Sequence, residues 1–357
     1  MKKFFRGALL GALLSLPAFA QAHYLPGAFP LQTETTMAPY PGVYFSEVLA
    51  NYNGSVDLSR SLFRGRALAN LDLNQSIFAA CNVLMWQTGE KFLGADYGVS
   101  AIIPVQGLGM GSSLELGLLS GQKSRSSGLG LGDIYIAPLM LGWHGENFDA
   151  LFSYGIWAPT GRYSPGANDN IGRGFYTHML QLGGSYYMDD ERSWSLNAVG
   201  TFEASTNNAV INPGNYFTLD WGIMKKIDNW RVGITGYNTR QVTPISGLPN
   251  LNPDFLNSAD AIGAEVGVTI PEANYLGITL KFSHEYSHFA RFGGNMATLS
   301  FSVPLEMDLP TAPPAEKAAE PAPAPEAAPA KAPEAPEAPP ANAPEAPVED
   351  SAKPIEE

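Results

Sequence analysis

The chain has 357 residues and a formal net charge of −13, from 21 lysines and arginines against 34 aspartates and glutamates. This acidic balance argues against nucleic acid as a partner. Cys81 is the only cysteine, which excludes an intrachain disulfide.

Residues 1–22 have the features of a secretory signal peptide. A basic start precedes a short apolar run, and the small residues Ala20 and Ala22 stand at its end. The run is too short for a transmembrane helix and contains Pro17. We therefore expect cleavage before His23.

From residue 42 to 305, apolar and polar side chains alternate with a period of two, which predicts β-strands. Twelve strands are predicted, at 42–56, 73–87, 94–106, 131–144, 147–160, 175–189, 192–204, 215–227, 229–241, 261–271, 274–288 and 294–305.

The connections between these strands alternate in length. Short turns such as "HGE" and "DDE" alternate with long loops, including 107–130, 161–174, 205–214 and 242–260. This pattern is typical of outer-membrane barrels, in which short turns face the periplasm. The predicted fold class is therefore all-β, an antiparallel transmembrane β-barrel of about 12 strands over 42–305.

One phase of the strands is large and apolar, and the other is polar or small. In a soluble sandwich the apolar phase would form the core, whereas in a membrane barrel it faces lipid. Charges are nearly absent from the apolar phase, which favours the barrel. Four aromatic residues are expected in a girdle beside the short turns: Trp194, Trp221, Trp230 and Tyr275.

The polar phase then faces the inside of the barrel. The predicted pore-lining or binding residues are Asp220, Arg231, Glu265, Lys281, Glu285, Glu203 and Asn197. Opposite charges on neighbouring strands usually pair, so we expect Asp220 near Arg231 and Glu265 near Lys281. Two roles remain open for these groups, a structural ion-pair network and a constriction that selects solutes.

The strand 131–144 is apolar on both phases and contains Pro138. Such a strand indicates an apolar patch inside the barrel or a strand that faces a plug. The proline-containing segment 23–41 and the loop 107–130 are the two candidate plugs.

Residues 284–288 read "HEYSH", which matches a zinc-protease motif that requires a helix. On a strand, His284 and His288 lie about 13 Å apart, too far to share one zinc ion. Glu285 would point to the opposite face. We predict no metal site, no cofactor and no catalytic residue.

Residues 306–357 are dominated by proline, alanine and glutamate and contain no aromatic residue. A segment of this composition buries too little apolar surface to fold, so we expect a disordered tail in the periplasm. The tail is either a solvated spacer or a tether to peptidoglycan or a periplasmic protein.

Two blocks of the sequence resemble a known family. "HYLPGAFP" with "APYPGVYFSEVLANYNG" resembles the start of an outer-membrane family named for the meta-cleavage pathway of phenol degradation. "LGDIYIAPLMLGWH" followed by "IWAPTGRYSPGANDNIGRGFYTH" resembles its central signature, which sphingosine-induced outer-membrane proteins share. The resemblance covers 23–305. It implies a β-barrel that transports small, often hydrophobic compounds, and it implies no set of binding residues.

Three functions are therefore considered. The first is a passive outer-membrane channel or transporter for a small solute, hydrophobic or aromatic in character, with outer-membrane lipid as its surroundings. The second is a lipid-acting enzyme that uses His178 or His284 on the outer wall. The third is a structural barrel that the tail anchors to the cell wall. We expect the first, and hence a protein that is not an enzyme.

Overall fold

The computed structural model describes residues 22–62, 67–116, 119–165, 167, 170–208, 211–247 and 256–308. The predicted signal peptide up to residue 21 and the predicted tail from residue 309 lie outside these ranges. Among the residues that the model describes, no helix is long and apolar enough to cross a membrane.

The described chain is built almost entirely of antiparallel strands. One short helix, α1 (Leu31–Thr35), precedes them, and one 3-10 helix (Pro271–Ala273) connects two of them. The strands are β1 (Gly42–Leu62), β2 (Ala67–Phe92), β3 (Ala95–Leu116), β4 (Leu119–Ser126), β5 (Gly130–Leu131), β6 (Ile134–His144), β7 (Phe148–Ala158), β8 (Thr177–Tyr187), β9 (Trp194–Ser205), β10 (Tyr216–Ile227), β11 (Trp230–Gln241), β12 (Ser258–Ile270), β13 (Leu276–Phe289) and β14 (Gly293–Met307).

Twelve of these strands close into one barrel, as predicted. Each strand pairs with its neighbour in the chain, β3 pairs with β6, and β1 pairs with both β2 and β14. Gly42 faces Met307 across the β1–β14 seam, so both chain ends of the barrel lie at the end that carries the short turns. Among the described residues, the strands β4 and β5 pair only with β3, in the part of β3 that follows its pairing with β6.

Two predicted loops are strands instead. Residues 57–62 and 67–72 extend the β1–β2 hairpin, and most of 107–126 forms the β3–β4 hairpin. The stretch "GLGMG" lies within the predicted loop 107–130, yet its backbone groups continue the ladder with β2. Gly109 lies so close to the Ser76 hydroxyl that an added Cβ would overlap it. Here glycine permits close strand contact and does not end the strand.

The outer surface of the barrel is apolar, with exposed side chains that include Leu196, Ile223, Ile234, Leu280 and Phe282. Exposed aromatic residues near the short turns include Trp194, Trp230 and Tyr275, as predicted. Trp221 differs from that prediction because it pairs with Gly236 at mid-height, where its indole N–H donates to Asn238 over 3.1 Å. An exterior of this kind is what a hydrocarbon environment requires.

Among the described residues, the interior contains two apolar clusters, and both include residues of the segment 23–41. The first joins Tyr24 and Met37 to the inward side chains of β6 to β8, with Phe29 and Cys81 at its edge. The second joins Ala28 to residues of β1, β11, β12 and β14. The inward side of β6 therefore packs against this segment, with a register shift at Pro138.

Substituting one exterior residue by a charged residue tests whether the apolar exterior faces lipid. Ile234 is 58 % exposed in the middle of β11, and Ile227 is 54 % exposed at a short turn. We expect Ile234→Arg to lower the free energy of unfolding by about 2–4 kcal/mol, because arginine near the bilayer midplane is poorly solvated. Ile227→Arg, near the interface, should cost only about 0–1 kcal/mol. Urea titrations in lipid vesicles measure both values, and equal costs would argue against a lipid-facing wall.

Candidate functional site

The segment from His23 to Met37 crosses the inside of the barrel from one end to the other. At the short-turn end, Met37 lies against Gly98, near the start of β3, and Gly142, near the end of β6. At the long-loop end, His23 contacts Asp133 and Thr177. Between these points the segment turns once in α1, so the interior of the barrel and this segment together form the candidate site.

Inward carboxylates of the barrel accept hydrogen bonds from the backbone of this segment. Tyr24 N–H donates to Glu203 over 2.9 Å, and Gly27 N–H donates to Asp220 over 2.8 Å. In a third bond, Leu31 N–H donates to Glu265 over 3.1 Å. Since an irregular chain in an enclosed interior has few other partners for its N–H groups, these carboxylates stabilise its path.

One inward cation completes this pattern. Lys281 Nζ donates to the carbonyl oxygen of Phe29 over 3.0 Å and lies 3.8 Å from Glu265 Oε2. Both charged side chains are 3 % exposed. Both partners of the ion pair therefore contact the segment: Lys281 donates to one of its carbonyl groups, and Glu265 accepts from one of its N–H groups.

A second group of titratable side chains surrounds the Tyr24 hydroxyl. This oxygen lies 2.7 Å from Glu34 Oε1 and 3.0 Å from Asp220 Oδ2. Burial, followed by the neighbouring Asp220 charge, raises the pKa of Glu34 to about 8. Because the hydroxyl has one hydrogen, a proton on Glu34 lets the carboxyl donate to Tyr24 while Tyr24 donates to Asp220.

The His23 side chain is enclosed at the long-loop end. Its Nε2 lies 2.9 Å from Asp133 Oδ2, and its Nδ1 lies 2.8 Å from the Thr177 hydroxyl. The ring stacks on Trp157 with centroids 5.5 Å apart and meets the edge of Phe175. Burial lowers the pKa of His23 to about 4, so the imidazole is neutral, donating to Asp133 and accepting from Thr177.

At the short-turn end, the segment contacts the buried carboxylate of Asp149. Asp149 is 3 % exposed and accepts from Arg192 at 2.7 Å, Tyr187 at 2.7 Å and Thr36 at 3.4 Å. Its Oδ1 also lies 3.1 Å from His144. The segment is thus held by polar contacts at both ends and in the middle.

The predicted pairing of Glu265 with Lys281 is present, but the pairing of Asp220 with Arg231 is not. In the β10–β11 hairpin, Asp220 faces Tyr237 and Arg231 faces Lys226, which separates them by six residues, or about 20 Å. The turn at Asp228 sets this register. Asp220 instead accepts a hydrogen bond from the segment. Arg231 faces Gly267 of β12, two residues from Glu265.

The remaining predicted residues are buried and point inward. Glu285 accepts from the hydroxyls of Tyr52 and Tyr237, the guanidinium of Arg291 and the N–H of Gly294. Asn197 accepts from the Ser185 hydroxyl over 2.7 Å, and the same hydroxyl oxygen lies 2.8 Å from the Thr35 hydroxyl of α1. Their role as pore-lining or binding residues stays a prediction.

Inward glycines make room for the segment, and they were not among the residues predicted from the sequence. A Cβ at Gly183 would overlap the carbonyl oxygen of Glu34, one at Gly222 would lie 2.8 Å from Leu31, and one at Gly142 would lie 2.5 Å from Met37. The signal was available, since glycine on the inward phase of a strand often marks close approach by another backbone.

The histidines considered for lipid chemistry lie on the outer wall. His178 contacts the Tyr154 hydroxyl at 2.8 Å, and His284 contacts Asn295 at 2.8 Å. In the "HEYSH" stretch, His284 is exposed while Glu285 is buried, as expected for a strand. Within the described ranges, no cluster of histidine, cysteine and acidic residues could hold a metal ion.

Residues 60–301 match the model of a protein family described as "Putative MetA-pathway of phenol degradation". A search of curated proteins found no match.

The fold is similar to that of an outer membrane channel from Pseudomonas putida F1, with a TM-score of 0.51 and 12 % identity over 76 % of this chain and 97 % of the other. The transport unit of the autotransporter AIDA-I from Escherichia coli gives a TM-score of 0.43 at 12 % identity, covering 84 % and 98 % of the two chains. A FadL homologue from Pseudomonas aeruginosa gives 0.33 at 11 % identity, covering 80 % and 96 %.

The raised pKa of Glu34 predicts how alkaline pH affects the segment. The folded pKa, about 8, exceeds the ordinary value of 4.5, so the contribution of Glu34 to stability is complete below pH 4.5 and is lost as the pH rises towards 8. His23, with its lowered pKa, acts on the acidic side of 6.5 and does not mask this effect. We expect Glu34→Gln, which cannot ionise, to flatten the alkaline decline in the midpoint of thermal unfolding.

Glu272→Gln is the matched control, because Glu272 is exposed in a short turn. It should leave the pH profile of the wild-type protein unchanged. Parallel profiles for the wild type and Glu34→Gln between about pH 6 and 9 would show that Glu34 does not carry the extra proton.

Proposed function

The chain belongs to the family described as "Putative MetA-pathway of phenol degradation", and on that basis we propose that it is a passive outer-membrane channel for small solutes. The observation that carries this proposal is a closed barrel with an apolar exterior and a polar, charged interior. The channel described for Pseudomonas putida, whose fold is similar, supports it.

In this proposal the segment 23–41 is a plug, and the inward charges hold it. Asp220, Glu203 and Glu265 bind its N–H groups, and Lys281 binds one carbonyl. Solute passage then requires the segment to shift or leave. Buried ion pairs add little net stability but favour one arrangement over others, which suits a plug that has a defined seated position.

The proposed solute is small and hydrophobic or aromatic, as the family description suggests. The inner wall beside the segment supports this class, because Tyr135, Met140, Trp157 and Met179 form a continuous apolar surface with Tyr24. When the segment moves away, this surface offers aromatic and thioether contacts to an apolar solute. Efflux of phenol-like and charged solutes of equal size from vesicles compares the two classes, and faster efflux of the charged solute would exclude this preference.

We also propose that the short turns face the periplasm, which puts the start of the tail there because β14 ends at the short-turn end. The long hairpins then face the outside of the cell. In a Cys81→Ser background, Leu129→Cys at the long-loop end should react with an impermeant maleimide on intact cells. Asp228→Cys, in a short turn, should react only after permeabilisation. The reverse result would invert the orientation.

Displacing the plug should open the channel. Gly183→Val places a side chain where Glu34 lies, so we expect higher conductance in planar bilayers than for the wild type. Gly184→Val is the matched control, since a Cβ there makes only an ordinary contact at 3.5 Å. Deletion of 24–36 should raise conductance at least as much as Gly183→Val. No conductance from either the deletion or Gly183→Val, in protein with normal heat-modifiable gel mobility, would reject the channel.

A further inference from the structure

The backbone nitrogen of His23 lies against the buried carboxylate of Glu203. Tyr24 N–H donates to Glu203 Oε1 over 2.9 Å, and the His23 N–H points to the same carboxylate. Glu203 is 1 % exposed, and its Oε2 has no hydrogen-bond partner among the described residues. A buried carboxylate oxygen without a donor is unfavourable, so the site can accept a further donor.

The Glu203 carboxylate is well placed to bind a positive charge at the His23 nitrogen. Arg173 lies near both Glu203 and His23, and Asp133 contacts the His23 ring at 2.9 Å. A positive charge on the His23 nitrogen would stand directly beside the buried carboxylate and would favour its ionised form.

We propose that Glu203 is the binding site for the α-ammonium group of His23 that removal of the signal peptide creates. Hydrolysis of the Ala22–His23 peptide bond by water leaves a carboxylate on Ala22 and an ammonium on His23. The ammonium has three N–H donors in place of one. It keeps the existing contact with Glu203, offers a partner to Oε2 and places a positive charge beside the carboxylate.

Removal of the signal peptide therefore completes the binding of the segment inside the barrel. A chain that keeps even one residue before His23 has an amide where the ammonium should be, so it cannot form this ion pair. Asp133, Trp157 and Phe175 already surround the His23 ring. This inference rests on the position of the segment and does not depend on conduction of any solute.

A double-mutant cycle tests the contact. Protein that starts at His23 is compared with protein that carries one extra glycine before it, each with and without Glu203→Gln. We expect the glycine to lower the midpoint of thermal unfolding in the wild type and to have much less effect in Glu203→Gln, because the ion pair is already absent. Equal effects of the glycine in both backgrounds would overturn the proposal.

Glu285→Gln is the matched control for this cycle. Glu285 is also a buried inward carboxylate, but Tyr52, Tyr237 and Arg291 are its partners. In this variant the added glycine should lower the midpoint as much as it does in the wild type. A loss of the glycine effect here as well would mean that the coupling is not specific to Glu203 and would also overturn the proposal.

A second measurement holds even if Glu203→Gln folds poorly. Acylation of the α-amino group, followed by mass spectrometry, should be roughly tenfold slower in native wild-type protein than in the urea-unfolded chain. Labelling at the unfolded rate would overturn the proposal. A mature chain that begins at a residue other than His23 would do the same.

Discussion

The organisation of the interior follows from one constraint, which is that an irregular backbone inside a barrel must find hydrogen-bond partners. Among the described residues, the backbone of segment 23–37 pairs with no strand, so side chains of the wall supply its hydrogen-bond partners. Carboxylates on β9, β10 and β12 accept from its N–H groups, and an amine on β13 donates to its carbonyl. Charges that would otherwise line an open lumen are thereby used to hold a chain within it.

The strands could be predicted from the sequence, because a period of two persists through most strands that cross the barrel. The faces of β6 could not, because this strand is apolar on both phases. The contacts inside the barrel could not be predicted. Glu203 and Tyr24 are separated by 179 residues in the chain, and no local pattern reports such a contact. The pairing of Asp220 with Arg231 was wrong because it assumed adjacency from neighbouring strands without the hairpin register. The extended β3–β4 hairpin was missed because its glycines were taken as loop residues.

The two sequence blocks that carry the family resemblance meet in space at His23. The first block begins with this residue, and the second contributes Asp133, Trp157, Phe175 and Thr177, which together enclose its ring. At the other end, Met37 fits over Gly142 of the same second block. The resemblance is therefore centred on the contact between the N-terminal segment and the inner wall, and less on the barrel as such.

The most direct test of this account is hydrogen–deuterium exchange of the peptide 23–37, measured by mass spectrometry on the full protein in lipid nanodiscs. If the wall carboxylates bind its N–H groups, this peptide should exchange slowly, closer to the rate of peptides from β9 and β10 than to that of an unstructured chain. Asp220→Asn should speed exchange around Gly27 with little effect on β9. Exchange of 23–37 at the rate of a free peptide would contradict the account, because the segment would then not be held inside the barrel.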